Sequence, residues 1–327
     1  MKYRKLGKTG FEVSEISLGT WQLGGTWGLD FNEKTAEEVL MASVNSGVNF
    51  FDTADVYNGG LSEIAIGKFL KKHRDRIYVA TKAGRKLVPH TAAGYTPSNI
   101  QNFIEDSLKR LQLDCLDLIQ LHCPPTDTYY EPELFFALDR MKEKGFIRHY
   151  GVSVERVEEA LKAMDYPGVA TIQIIFNMLR LRPSELFFQA AADKNVGIIV
   201  RVPLASGLLS GKYKADTTFN PNDHRFFNRE GQSFDKGETF SGVDYELGLQ
   251  AVDELKLAFP DRELADVALK FILMHNEVSC VIPGASNANQ IEGNIKASDM
   301  PDLTDSEMNI IKHIYDRRIK NPVHYLW

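Results

Sequence analysis

Eight short β-favouring runs recur along this chain with helix-patterned segments between them, and that alternation limits the fold more than any other feature. The runs fall at 15–19, 48–52, 77–82, 116–121, 147–152, 170–175, 197–202 and 278–282. Helical spacing of apolar residues marks 35–46, 61–72, 97–111, 131–144, 155–164, 184–194, 262–275 and 287–297, with extra helices at 243–258 and 305–317. Sustained βα alternation implies parallel pairing with right-handed crossovers, and eight units close a ring. The expected fold is therefore an α/β barrel of the (β/α)8 (TIM) type. Residues 2–14 read as a small hairpin around Gly7-Lys8-Thr9-Gly10, placed to plug the barrel floor. A barrel of ~250 residues plus insertions accounts for all 327 positions as one domain, 1–327.

Composition excludes several classes of function. With 43% hydrophobic and 25% charged residues and a net charge of −6, the chain gives no reason to expect a nucleic-acid partner. The polar MKYRKLGKTG follows Met1 directly, and no apolar run reaches the ~20 residues that span a bilayer. A cytoplasmic protein with no membrane partner is expected. Cys115, Cys123 and Cys280 form no CxxC and read as reduced thiols, and the scattered histidines show no metal-ligand spacing, so no metal is expected. Oligomeric state is not legible.

The chemistry collects at strand ends. The stretch VNFFDTADVY, Val48 to Tyr57, stops an apolar run at Asp52 and Asp55 and carries Tyr57 in the following loop; IYVATK ends in Lys82 and LDLIQLH in His122. In a parallel barrel these ends share one face, so Asp52, Tyr57, Lys82 and His122 can meet in one pocket. Hydride transfer to a carbonyl needs an acid for the oxygen as negative charge develops. A tyrosine with a pKa of ~10 keeps its proton at neutral pH and releases it more readily beside a cation. Lys82 is that cation, Asp52 keeps it charged and aimed, and His122 orients the substrate oxygen. Taken singly, Asp52 reads more readily as a helix cap and Tyr57 as a loop aromatic, and His122 reads also as a core imidazole; their joint placement favours the catalytic reading.

The segments DTADVYNGGLSE, ATK, DLIQLH, GVS, QIIFN, PLASGLLSGKY and IPGASNANQIEGN, in this order across the chain, resemble the aldo-keto reductases, including the branch of the potassium-channel β-subunits. The resemblance implies a barrel that binds NADP(H), with NAD(H) as the lesser choice, without a Rossmann fingerprint, and it places the tetrad on Asp52, Tyr57, Lys82 and His122 with tyrosine as general acid. It implies that Ser153 and Gln173 hold the nicotinamide carboxamide, with Asn177 behind them; Val154 stands where an asparagine is usual. Gly19, Thr20 and Trp21 open a glycine-rich loop, GTWQLGGTWG, on the cofactor side. Arg201 stands where an aromatic residue usually stacks on the nicotinamide; it either lies flat against the ring or points at an acidic substrate group. Backbone amides of Leu204, Ser206 and Leu208, with Lys212 as a cation, suit the diphosphate. Gly284, Ser286, Gln290 and Asn294 match the 2′-phosphate and adenine positions. No arginine or lysine occupies the Ser286 position, and Gly293 replaces a usual acid. Arg225, in the long stretch 211–242, either supplies the missing charge or lies on the surface.

Expected pocket walls are Trp21, Trp27, Tyr57, Tyr95 and Phe227. The tail NPVHYLW either packs on its own barrel or covers the active site or a neighbouring subunit. Three functions compete: an NADPH-dependent reductase of aldehydes and ketones, a slow-turnover nucleotide-binding redox sensor or partner subunit, and a barrel enzyme using Lys82 as a Schiff base. The complete tetrad favours the first.

Overall fold

The computed structural model describes residues 1–25, 30–73 and 77–327. It opens with an antiparallel hairpin of β1 (Tyr3–Lys5) and β2 (Glu12–Ser14) around a 3-10 turn at Gly7–Thr9. Eight parallel strands follow: β3 (Leu18–Gly19), β4 (Phe50–Asp52), β5 (Tyr78–Ala83), β6 (Leu116–His122), β7 (Ile147–Ser153), β8 (Val169–Ile175), β9 (Gly197–Arg201) and β10 (Val278–Val281). They neighbour one another in chain order, and bridges Ile16–Val281 and Gly19–Gly284 join the last strand to the first and close the ring. Between strands run α1 (Glu33–Asn45), α2 (Leu61–Lys72), α3 (Pro97–Leu111), α4 (Pro132–Glu143), α5 (Val157–Ala163) and α6 (Phe187–Asp193). After β9 come the short α7 (His224–Phe227), then α8 (Tyr245–Ala258) and α9 (Leu264–Leu273); after β10 come α10 (Ala288–Asp299), α11 (Asp305–Ile314) and α12 (Lys320–Val323). The expected (β/α)8 barrel with its N-terminal hairpin is the observed fold.

Local chemistry explains these boundaries. The α3 helix starts where Thr96 Oγ1 accepts from the Asn99 amide at 3.2 Å with Pro97 in the first turn, and it ends at Gln112 in the left-handed region. Two helices differ from their expected extents. Arg182-Pro183-Ser184 forms a 3-10 turn, delaying α6 to Phe187, and α11 passes at Tyr315 into a π-helical turn ending at Ile319.

Period-two alternation sends one face of each strand into the barrel and the other against the helices. The inner floor packs Phe50, Tyr78, Ala80, Leu118, Ile199 and Cys280 against Leu6, Phe11 and Val13 of the hairpin, so the hairpin does plug the barrel. Phe11 stacks on Tyr78 at 4.2 Å. Each such large side chain contributes about 1.5–3 kcal/mol by burial. With the floor sealed by apolar groups, the polar inward residues collect at the opposite mouth.

The stretch 211–242 is not a plain loop. It is built from α7 and two 3-10 turns, Lys236–Glu238 and Phe240–Gly242, fastened to the barrel by side chains. The C-terminal tail packs on its own chain: Trp327 is buried, its Nε1 donates to Asp235 Oδ1 at 2.8 Å, and the Arg180 guanidinium lies 4.2 Å from its ring. Among the described residues, no helix is long and apolar enough to cross a membrane.

Candidate active site

Asp52 ends β4, Lys82 lies in the last turn of β5, and Tyr57 sits on a 3-10 turn (Tyr57–Gly60) beyond β4. The Lys82 ammonium donates to Asp52 Oδ1, to the Thr53 carbonyl at 2.9 Å and to the Tyr57 hydroxyl at 3.1 Å. Asp52 and Lys82 are both about 1% exposed, so each needs the other to offset desolvation. The second carboxylate oxygen, Oδ2, accepts from Gln120 Nε2 at 3.1 Å and Gln173 Nε2 at 2.7 Å. The carboxylate thus accepts three hydrogen bonds, one on Oδ1 and two on Oδ2, which fixes its orientation.

Burial alone would push the Lys82 ammonium down, but Asp52 and Tyr57 outweigh it and hold its pKa above the ordinary value. Tyr57 departs from the expectation that the cation would lower its pKa. Burial raises the phenol above its usual value, and Lys82 only opposes that rise. Tyr57 therefore keeps its proton firmly at neutral pH, with the Lys82 charge already in place for the phenolate.

His122 ends β6 with its ring 6.1 Å from that of Tyr57, edge to face. Burial, followed by the charges of Lys82, Arg85 and Arg201, holds it neutral, well below the ordinary histidine pKa. Its Nδ1 is buried without a hydrogen-bond partner. Asp55, in the loop between Asp52 and Tyr57, is fully buried, neither carboxylate oxygen is bonded to any described residue, and burial pushes its pKa up to about 6.

These residues open into a cavity of about 920 Å³ whose lining extends from Tyr57 and His122 to α10. Gly19, Thr20, Trp21, Ser153, Gln173, Arg201, Leu204, Ser206, Lys212, Arg225, Gly284, Ser286, Gln290 and Asn294 all line it. Leu208 does not: its side chain is buried in the core beneath. Tyr95 is not on the wall either. It lies behind it, donating to the His122 carbonyl at 3.3 Å and pairing with His90 Nε2 at 2.8 Å. Phe227 backs the wall through Phe234, 6.1 Å away, and Phe234 itself lines the cavity. Trp27 lies outside the described residues. Trp21 stacks near Tyr57 at 6.2 Å, with Phe234 a further 6.3 Å on.

Toward α10, Ser286 donates from both its amide (2.8 Å) and its hydroxyl (3.2 Å) to Gln290 Oε1, and Asn287 caps the helix by accepting from the Gln290 amide. On the facing side, Val202, Ala205 and Ser206 adopt left-handed backbone. The Ser206 hydroxyl holds that shape by donating to the Glu238 carbonyl at 3.1 Å and accepting from the Phe240 amide at 3.1 Å. Lys212 and Lys296 line this part of the cavity with no ion pair to any described residue. Their charge and the free lobes of Ser286 and Asn294 suit a phosphorylated ligand. Arg225 is neither on the open surface nor free. It is half-buried, its Nε and Nη2 bonded to Asp223 at 2.9 and 2.5 Å and its Nη1 to Tyr213.

Arg201 is engaged in a way neither expectation foresaw. Nη2 donates to the Val154 carbonyl at 2.9 Å and Glu155 Oε2 at 3.1 Å, and Nη1 pairs with Glu238. One guanidinium thus ties β9, the loop after β7 and the 211–242 excursion together. Burial, with Glu238 next, pushes Glu155 up to about 7. Cys123, Glu155 and Glu238 have the donor types of a metal site within 4.8 Å of one another, but Arg201 is bonded to all three. Asn177 organises backbone: it donates to the Val202 carbonyl at 2.9 Å and to Ser241 Oγ at 2.7 Å.

Several lining or supporting residues carry a sequence signal only in hindsight. Gln120 lies two positions before His122 on the same inward face, within reach of the strand pattern; Arg85 lies three beyond Lys82, past the end of β5, where no strand pattern applies. Glu155, Glu238 and Phe234 were not within reach either, because nothing in their local sequence marks them.

The aldo/keto reductase family model matches residues 15–316. A probable voltage-gated potassium channel subunit beta of Arabidopsis thaliana is 30% identical, covering 99% of this chain and 100% of its own length. Among solved structures, the holo form of aldo-keto reductase AKR11C1 from Bacillus halodurans superposes with a TM-score of 0.77 at 30% identity over 96% of both chains. The glycerol dehydrogenase AKR11B4 from Gluconobacter oxydans gives a TM-score of 0.80 at 27% identity, over 100% of this chain and 98% of its own. With a strand-end acid, lysine and histidine around one tyrosine and a family match over nearly its whole length, this chain belongs to the aldo/keto reductase family.

Proposed function

We propose that this chain reduces aldehydes and ketones to alcohols with NADPH, Tyr57 acting as the general acid. The observation that carries the reading is the Lys82 ammonium held between the Asp52 carboxylate and the Tyr57 hydroxyl, 3.1 Å from the latter. NADPH, when bound, supplies the hydride. Tyr57 Oη donates a hydrogen bond to the carbonyl oxygen and surrenders its proton as negative charge grows there. Lys82 stabilises the phenolate left behind, and Asp52 keeps Lys82 protonated in a site that would otherwise discharge it. The neutral His122, its Nδ1 buried, presents Nε2–H to the same oxygen and steers it.

Ser153 and Gln173 would hold the carboxamide end of the cofactor. Leu204, Ser206 and Lys212 would meet its diphosphate, and Gly284, Ser286, Gln290 and Asn294 its adenosine 2′-phosphate, with Arg225 behind them held by Asp223. The unpaired ammonium groups of Lys212 and Lys296 support NADPH over NADH. Small carbonyl compounds are the expected partners, in the cytoplasm and within one domain.

A second reading, a slow-turnover NADP(H)-binding sensor or partner subunit, draws on the relative named as a channel β subunit. A Schiff-base role for Lys82 is disfavoured by its raised pKa, which leaves little free amine. Steady-state NADPH oxidation with a panel of aldehydes decides between them. Multiple turnovers, with Tyr57→Phe losing about 100- to 10,000-fold in kcat while still binding NADPH, support the reductase. A single burst on every carbonyl supports the sensor, and wild-type kcat in Tyr57→Phe removes the assigned acid.

A further inference from the structure

Among the described residues that line the cavity, Arg85 is a cation to which the reduction described above gives no task. Arg85 lies three residues beyond Lys82 and lines the cavity with Tyr57 and His122. Among the described residues it has no hydrogen bond and no ion pair; its guanidinium only rests 5.9 Å from the Phe234 ring. The neighbouring cations differ. Lys82 is held by Asp52, Arg201 by Glu155 and Glu238, and Arg225 by Asp223. Glu155 and Glu238, which influence Arg85 electrostatically, each pair with Arg201 through one oxygen, Oε2 and Oε1 respectively, and Glu155 Oε1, though unbonded among the described residues, makes no hydrogen bond to Arg85. Arg85 is half-buried, so its five donors have lost much of their water without gaining an acceptor, a costly arrangement unless a ligand supplies one.

Its position separates it from the phosphate-type residues. Arg85 follows β5, the third barrel strand, whereas Ser206 and Lys212 follow β9, the seventh, and Ser286 follows β10, the eighth. An aromatic row leads to it from the acid: Tyr57, then Trp21 at 6.2 Å, then Phe234 at 6.3 Å, with the guanidinium beyond. We propose that Arg85 binds an anionic group of the substrate, so that the carbonyl compounds this chain prefers carry a carboxylate or phosphate remote from the reacting carbon. This assignment rests on the reductase reading of the tetrad. A planar guanidinium grips either oxyanion through two parallel hydrogen bonds, which a single ammonium cannot reproduce.

The test compares matched probes, 4-carboxybenzaldehyde against 4-methylbenzaldehyde, and glyceraldehyde 3-phosphate against glyceraldehyde, in wild type, Arg85→Gln and Arg85→Lys. Within at least one pair the wild type favours the anion in kcat/KM, and Arg85→Gln lowers that ratio by about 10- to 100-fold, the worth of a hydrogen-bonded charge; Arg85→Lys restores part of it. The pair that responds identifies carboxylate or phosphate as the source. A ratio that Arg85→Gln leaves unchanged in both pairs overturns the proposal. If no carbonyl is turned over, the reductase reading fails instead, and the anion site is read by quenching of tryptophan fluorescence with NADP⁺ present. There, 4-carboxybenzyl alcohol binds more tightly than 4-methylbenzyl alcohol to wild type and not to Arg85→Gln; equal affinities in wild type overturn the site.

Discussion

Asp55→Asn should change how stability depends on pH by an amount the structure fixes. Asp55 lies in the loop that carries Tyr57, fully buried, with neither oxygen bonded to any described residue. Burial raises its pKa to about 6, against the opposing pull of Lys86, while Glu63 adds to the rise and Arg110 subtracts from it. In the unfolded chain the same group titrates at ~3.9. The folded state therefore binds the Asp55 proton more tightly than the unfolded state does. The stability this contributes is complete below pH ~4 and is lost as pH rises through about 6. About two pKa units at 1.36 kcal/mol each amount to roughly 3 kcal/mol.

Asparagine keeps the shape and cannot ionise, so the useful quantity is the difference in unfolding free energy between Asp55→Asn and wild type across pH. An unpaired amide shifts that difference by a constant, and other titrating groups, Glu155 among them, cancel in it. From pH 4 to pH 7 the difference should climb by roughly 2 kcal/mol in favour of the variant, the rest of the change falling below pH 4. Urea titrations at four or five pH values measure it, provided the m-value is the same for both proteins. A flat difference would mean that the Asp55 carboxylate finds a partner in solution. A difference that falls with pH would mean it is stabilised as an anion, and the whole account of this loop would be wrong.

Three further outcomes follow from the same geometry. Tyr57→Phe keeps NADPH affinity and loses kcat as stated above, measured by cofactor fluorescence titration beside the turnover assay. Arg201→Met leaves Glu155 and Glu238, both largely shielded from solvent, without the cation between them, so roughly 3–5 kcal/mol of stability is lost. Because burial already raises Glu155 to about 7, so that it binds its proton more tightly in the folded than in the unfolded chain, the loss seen in thermal melts is larger at pH 8 than at pH 6. Trp327→Ala removes the ring under Arg180 and the bond to Asp235; it costs about 3–5 kcal/mol and exposes the 211–242 excursion to limited proteolysis. Unchanged protease resistance would show that the tail does not hold that segment.

The barrel was legible because its signals are local and repeat. A helix such as α3 announces its start through Thr96 and Pro97, and most of the strands lie in short β-favouring runs that alternate with helical segments. The floor was legible for the same reason, since a hairpin too small to join the sheet still carries Leu6, Phe11 and Val13 to be buried. What failed was the middle of the chain. The stretch 211–242 reads as loop because no periodicity organises it, and its order comes from pairs distant in sequence: Arg201 with Glu238, Ser206 with the Phe240 amide, Trp327 with Asp235.

The same division runs through the candidate site. Asp52, Lys82 and His122 could be placed together because strand ends share a mouth in any parallel barrel, whatever their loops do. Arg201 could be placed there as well, yet its partners could not. A strand-end arginine read alone has a free guanidinium, and the two plausible uses for a free guanidinium are a ring and a substrate acid. The structure instead supplies two carboxylates from loops after β7 and β9, one at the strand end and one far along an unpatterned excursion. Arg85 shows the converse: among the described residues none gives it a hydrogen bond or ion pair, a fact that exists only once the loops are in place. Sequence pattern thus gives the positions of charges around a barrel mouth, while their pairing, which decides which of them remains for a ligand, depends on the connections between strands.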